Sequence, residues 1–302
     1  MAAAQGAGFS NRYLSGWPLF WLIATPMCGL MIFEMLRTDL STGQGVSHMI
    51  GYSVRFSVPF IFLVTGATAS HTLFPGAATR WLARNRKYLG LCFAVAMAWQ
   101  GTFIYMMSGI HTDYYYEEVF FFRDELEGST GYIFLTAMVL TSFSIGRRWL
   151  DNRQWTLLHR SGVYFLWAYP FSVYWWAHTY YPNPQPYDYF FYWAGFIAFA
   201  MRIAAWGKKR QRAMPDGLAT PIGFQLAGYA IVAAGLIASA TGLRWQAAAS
   251  GFLTGPSWSA TLELWLPFWP FEPFLPLFAI GIGTWLVTMG ARQDLAPAAT
   301  SP

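Results

Sequence analysis

The chain has 302 residues, 55% of them hydrophobic and only 11% charged. Soluble domains average about 25% charged residues, so this composition argues against a water-soluble enzyme and for a polytopic membrane protein. The formal charge of +5 falls in loops between apolar runs. It is therefore a topological signal and not a nucleic-acid footprint, and no nucleic-acid partner is expected.

A helix needs about 20 apolar residues to cross a bilayer. In chain order, eight spans are expected near 17–36, 52–75, 88–108, 132–149, 155–178, 189–206, 222–243 and 273–290. The first run contains Pro18 and Pro26 and follows a weakly charged start, so it reads as a retained helix and not a cleavable signal. Cys28 and Cys92 lie in separate apolar segments and read as small apolar residues, not as a disulfide pair.

The loops set the orientation. Arg80, Arg84, Arg86 and Lys87 follow span two; Arg147, Arg148 and Arg153 follow span four; Lys208, Lys209, Arg210 and Arg212 follow span six. With Arg12 and Arg292 in the two tails, that side holds thirteen basic residues against three, Arg37, Arg123 and Arg244, on the other. Excess Lys and Arg marks the cytoplasmic side. The expected product is an integral protein of a bacterial inner membrane with both termini cytoplasmic. Arg202, near the inner end of span six, is expected to snorkel.

The outer loops differ in character. Residues 109–131 mix Tyr114-Tyr115-Tyr116 and Phe120-Phe121-Phe122 with acidic side chains, which fits an aromatic hairpin or short helix on the outer surface. Residues 179–188 carry alternate prolines that remove donors and exclude regular helix. Residues 266–276 alternate Pro with Trp and Phe and read as an irregular approach to span eight, packed on protein. Span seven spaces Gly228, Gly235 and Gly242 by sevens. Such a stripe lets another helix come close, from this chain or from a partner subunit. Glu34 and Arg55 fall near the outer ends of spans one and two, and a Glu34–Arg55 or Glu34–Arg37 pair is expected.

The sequence Arg84-Asn85-Arg86-Lys87-Tyr88-Leu89-Gly90-Leu91 opens span three, and Trp155-Thr156-Leu157-Leu158-His159-Arg160 opens span five. The ordered pair resembles the ferric reductase-like transmembrane family over residues 46–210, and is most similar to its short flavin-free heme-binding members. The resemblance implies an all-α fold in three parts. Residues 1–45 form a tail and first span. Residues 46–210 belong to a six-helix ferric reductase-like core. Residues 211–302 add two C-terminal helices and a tail. In that family a heme-ligand histidine falls nine residues after Leu-Gly-Leu, where this chain has Gln100. Another falls thirteen residues after the Leu-His-Arg histidine, where it has Ser172. A further position, near Tyr114, also lacks histidine. His159 keeps the Leu-His-Arg position. It is the candidate ligand for one b-type heme, with His71 or Gln100 as its neighbour across the bundle.

Of the five histidines, His48, His111 and His178 fall toward the outer side. His111 and His178 with Asp113 and Glu117 form a candidate outer-face metal set suited to zinc, iron or manganese. The longest stretch outside the spans is about 30 residues, too short for a flavin or nicotinamide domain. Electrons, if they pass through this chain, must come from a separate protein. Three functions follow. The chain is a heme-depleted scaffold or accessory subunit that binds a lipid-soluble ligand or partner complex. Alternatively, it is an electron-transfer component with heme on His159 and a separate redox partner. A third reading is an outer-face metal-dependent enzyme. Membrane lipid and other membrane subunits are the expected partners.

Overall fold

The computed structural model describes residues 12–214 and 218–292. A short 3-10 turn leads to α1 (Trp17–Arg37), followed by α2 (Gly43–Leu73) and α3 (Ala77–Ile110). The turn α4 (Thr112–Tyr114) runs into a π-helical turn at Tyr115–Val119, then α5 (Phe122–Thr141) and the single turn α6 (Ser144–Arg147). The long helices α7 (Asn152–Thr179) and α8 (Pro186–Arg212) come next. A strand β1 (Leu218–Ala219) precedes α9 (Ile222–Ala240), α10 (Gly242–Thr254), α11 (Ser259–Trp265) and α12 (Leu275–Val287). A last strand β2 (Ala291–Arg292) pairs antiparallel with β1, Leu218 opposite Arg292.

The fold is that of an all-α membrane protein. Among the described residues, α1, α2, α3, α8 and α9 are long and apolar enough to cross a bilayer. The other three expected spans overlap α5, α7 and α12. Charged residues open α5. Trp and Tyr, which carry polar atoms on large apolar bodies, fill much of α7. The helix α12 is only 13 residues, lengthened by the 3-10 turn Glu272–Phe274 before it.

Several boundaries differ from expectation, each for a local reason. Helix α2 starts nine residues early because Thr42 caps it, its hydroxyl accepting the Gly45 N–H at 3.1 Å. Helix α3 starts at Ala77, with Thr79 accepting from Gly76 N–H at 3.1 Å, so Arg80 to Lys87 are helical and not loop. Helix α5 begins ten residues early, with Asp124 and Glu125 in its first turn, where the helix dipole favours acids. The chain after span seven forms α10 and α11, which the sequence reading left as loop. Of the Pro-rich stretches expected at 179–188 and 266–276, only 180–185 and 266–271 are irregular: Thr179 closes α7, Pro186 opens α8, and the 3-10 turn Glu272–Phe274 runs into α12, because proline is tolerated in a first helical turn. Phe268 and Phe271 there have φ of 63° and 67°.

Two ends of the bundle emerge. At one end Lys208 donates to the Thr72 and Leu73 carbonyls, Arg210 donates to Thr288, and Lys87 lies 5.1 Å over the Phe143 ring. At the other end Glu127 accepts the Phe268 N–H at 2.8 Å, Tyr180 donates to Glu272 at 3.0 Å, and Arg123 donates to the Trp269 carbonyl at 3.2 Å. Loops expected on one side thus gather at one end. Glu34 pairs with His48 at 3.1 Å, not with Arg55 or Arg37; Arg55 sits 5.0 Å over the Tyr187 ring. The early start of α2 is the reason, because it places His48 on the helix.

The interior is aromatic. Trp167 stacks on Phe171 and Phe199 with ring centres 4.7 and 4.2 Å apart, and Phe171 stacks on Tyr192 at 5.6 Å. Trp167 also donates its indole N–H to the Gly195 carbonyl at 3.0 Å, tying α7 to α8. A side chain at Gly195 would meet Phe62 at 2.8 Å, so only glycine lets these helices close around the ring. The glycine stripe also has a partner inside this chain. A Cβ on Gly235 would lie 2.7 Å from the Pro276 carbonyl oxygen, and one on Gly228 would lie 2.7 Å from that of Gly283. Both face α12, whereas Gly242 faces Trp175 of α7. In lipid this backbone proximity is what holds helices together, since apolar burial gains little.

Gly235→Leu should therefore lower stability by about 1–3 kcal/mol, the usual cost of overpacking. Gly223→Leu on the same helix, with nothing within 4 Å of its Cβ, should cost little. Thermal unfolding in detergent checks the pair, and equal melting temperatures would show that α9 does not rest on α12 as described.

Candidate functional site

A concave feature lies at the basic end, where α2, α3, α5, α7 and α8 line an open cavity of about 670 Å³. That is the size of a small-molecule site. Its deep wall is apolar: Ile61, Leu91, Phe93, Leu135, Val139 and Leu166. Its mouth carries Arg86, Lys87, Arg160, Arg202 and Lys209, with His159 beside them. Among the described residues no carboxylate lines it. A second groove of about 460 Å³ runs between α7, α8 and α12 and shares Arg160, Tyr164, Arg202 and Trp206 with the first.

Each cation reaches the site through its helix register. The early start of α3 puts Arg86 on the helix, at the rim of the cavity, where its guanidinium donates to the Thr68 hydroxyl at 3.0 Å. Arg202 donates to the Thr65 carbonyl at 3.0 Å and to the Tyr164 hydroxyl at 2.8 Å, and lies 4.6 Å over the Tyr164 ring. It is thus turned into the bundle, which corrects the expectation that it snorkels. Arg160 approaches the same ring at 6.0 Å. All these partners are neutral, and among the described residues the ion pairs involve only His48 and Arg123.

His159 forms part of the cavity wall, half-buried, with its ring stacked on Trp155 at 4.2 Å. Its Nε2 lies 3.0 Å from the Thr141 hydroxyl. That hydroxyl directs its proton to the Ala137 carbonyl at 2.7 Å, so His159 Nε2–H is the donor and Nδ1 is left as the acceptor. His71 and Gln100, the other two residues expected at a heme, do not line the cavity. His71 contacts the Thr79 hydroxyl at 3.3 Å, and Gln100 accepts from Tyr132 at 3.2 Å. Ser172 is buried and donates to the Tyr169 carbonyl. The residues present thus fit one imidazole ligand at most and do not assemble a pair of axial ligands.

The outer-face metal set is not assembled either. Among the described residues no group of three or more His, Cys, Asp or Glu side chains is placed to hold a metal ion. His111 donates to the Leu40 carbonyl at 3.1 Å. His178 is buried elsewhere, among Trp175, Tyr189 and Tyr192. Asp113 and Glu117 stay on the short turns that follow α3, away from it. Burial, helped by the neighbouring Glu125, pushes the Tyr115 hydroxyl up to about 12, so it stays protonated there.

No family model matches the chain, and no curated protein or solved structure matches it. The likeness to ferric reductase-like proteins therefore rests on the two helix-opening motifs alone.

Sequence reading missed the convergence of the cations. It placed Arg86 and Lys87 just ahead of the apolar part of span three and had Arg202 snorkel to the interface. The usable signal was Pro75-Gly76 followed by Thr79, a helix start that puts Arg86 and Lys87 more than two turns inside α3.

Purified protein titrated with zinc should show no stoichiometric site, and His111→Ala should leave its metal content unchanged. One zinc per chain that is lost in His111→Ala would contradict the dispersed outer histidines.

Proposed function

We propose that this chain is an eight-span membrane scaffold that binds a lipid-soluble ligand in the cavity at its basic end. The observation that carries this reading is the cavity itself, apolar in depth and cationic at the mouth. The buried interior is otherwise filled by aromatic rings around Trp167 and Phe171, so the cavity is a gap left in a densely packed bundle. The remaining spans are α5, α7 and α12, and the basic end faces the cytoplasm of a bacterial inner membrane, with both termini there. A role as an accessory subunit is supported by the same feature, a ligand cavity within a helical membrane body.

Orientation and occupancy are tested separately. Single cysteines placed at Gly76, Arg148 and Arg212 in a cysteine-free background should be shielded from an impermeant thiol reagent in intact cells. Cysteines at Ser41, Asn183 and Gly255 should react. Reversal of any neighbouring pair would contradict the eight-span arrangement. Solvent extraction of the purified protein should release a lipophilic compound that is missing from Val163→Trp, because Val163 lines the cavity and an indole there takes up its space. Identical extracts would contradict the ligand-binding reading.

A second reading is an electron-transfer component with one b-type heme on His159. It is favoured by the place of His159 in the cavity wall, with Arg86 and Arg160 near enough to the same cavity to face propionates. Iron would take Nδ1, or would displace the Thr141 contact at Nε2. A Soret band that shifts on reduction, and disappears in His159→Ala, supports this reading. A colourless protein contradicts it.

A further inference from the structure

The scaffold reading leaves the ligand unnamed, and the distribution of charge narrows it. Basic residues at a membrane surface ordinarily meet headgroups one by one or bond to nearby protein groups, as Lys208 does to the Thr72 carbonyl and Arg210 to the Thr288 hydroxyl. Arg86, Lys87, Arg160, Arg202 and Lys209 instead converge on one cavity. Their partners among the described residues are hydroxyls, a carbonyl and aromatic rings. None brings a negative charge. A half-buried guanidinium such as Arg202 in an apolar bundle is costly without a counter-charge, and a planar fork of donors is suited to phosphate oxygens.

The two hollows supply the rest. Arg160, Tyr164 and Arg202 form a wall common to both. On one side lies the cavity with its apolar wall; on the other lies the groove along α8 and α12, where Phe278, Ile282 and Trp285 are exposed. A molecule with one charged head and two apolar arms fits this arrangement. We infer that the occupant is an anionic glycerophospholipid, its phosphate held by Arg160 and Arg202 with Lys209 and Arg86 nearby. One acyl chain lies in the cavity and the other in the α8–α12 groove, which is also its lateral path from the bilayer. This inference rests on the scaffold reading and adds the chemical class of the ligand.

The test is native mass spectrometry of the full detergent-purified chain. It is titrated with phosphatidylglycerol and, separately, with phosphatidylcholine of the same acyl chains. One phosphatidylglycerol should be retained preferentially. Arg160→Gln with Lys209→Gln should reduce that preference by about fivefold for each charge removed, the weight of a basic residue against anionic lipid. Neither residue is used as a hydrogen-bond donor to backbone among the described residues, so the circular dichroism of the double variant should match that of the parent. Equal retention of the two lipids, or an undiminished preference in the double variant, would overturn the inference. Displacement of the lipid by millimolar inorganic phosphate would also overturn it, since the site would then serve a soluble anion. Val163→Trp separates the two levels. If the parent retains the two lipids equally and Val163→Trp expels both, the cavity binds lipid without regard to charge; the scaffold reading stands and the anionic assignment falls. If it retains every lipid that the parent retains, the scaffold reading fails as well.

Discussion

Arg202 sets the central constraint on this structure. It lies on α8 inside the bundle and reaches both the Thr65 carbonyl of α2 and the Tyr164 hydroxyl of α7. Three helices thus meet on one guanidinium. A cation in this position raises the free energy of the fold unless its donors are satisfied and its charge is answered. The donors meet a carbonyl, a hydroxyl and the face of a ring. Among the described residues the charge meets no carboxylate. A polar, positively charged gap therefore remains between helices that elsewhere close tightly.

The tight closure has its own cause. At the level of Gly195 the absence of a side chain lets α8 come against Phe62 and Phe171, and the Trp167 indole locks the contact with a hydrogen bond. At α9 and α12, Gly228 and Gly283 approach each other so closely that each would place a Cβ against the other's carbonyl oxygen. Such contacts provide dispersion and weak C–H···O attraction, which serve where lipid already solvates apolar surface. The C-terminal helices are thus built onto the body by backbone proximity, and α12 supplies one wall of the groove beside Arg202.

The helical membrane fold was legible because 20-residue apolar runs separated by basic loops have few other solutions. The glycine stripe was legible as a close-packing face, although its partner, α12 or another chain, was not. The ends of helices were less legible. Gly43 and Gly45 look like breakers, yet Thr42 caps that helix. Asn85 looked like part of a basic loop, yet it is buried in α3 and accepts the N–H of Gly16, where a φ of 72° turns the chain into α1. These shifts of two to three turns moved Arg86, Lys87 and His48 from loops onto helices and changed what they face. The outer metal set failed for a related reason. His111 and His178 are close to the same end in sequence terms, but α3 and α7 present them to different neighbours. Register, which a single sequence specifies poorly, decided the site.

The account turns on whether the basic cavity is a ligand site or a consequence of clustering cations at one face. An electron-microscopic reconstruction of the chain in nanodiscs containing anionic phospholipid answers this directly. The account predicts non-protein density with a compact head beside Arg160 and Arg202 and two arms, one toward Leu135 and Leu166 and one along α12. A cavity closed by inward rotation of Tyr164, or open to water with no ordered density beside Arg202, would contradict it.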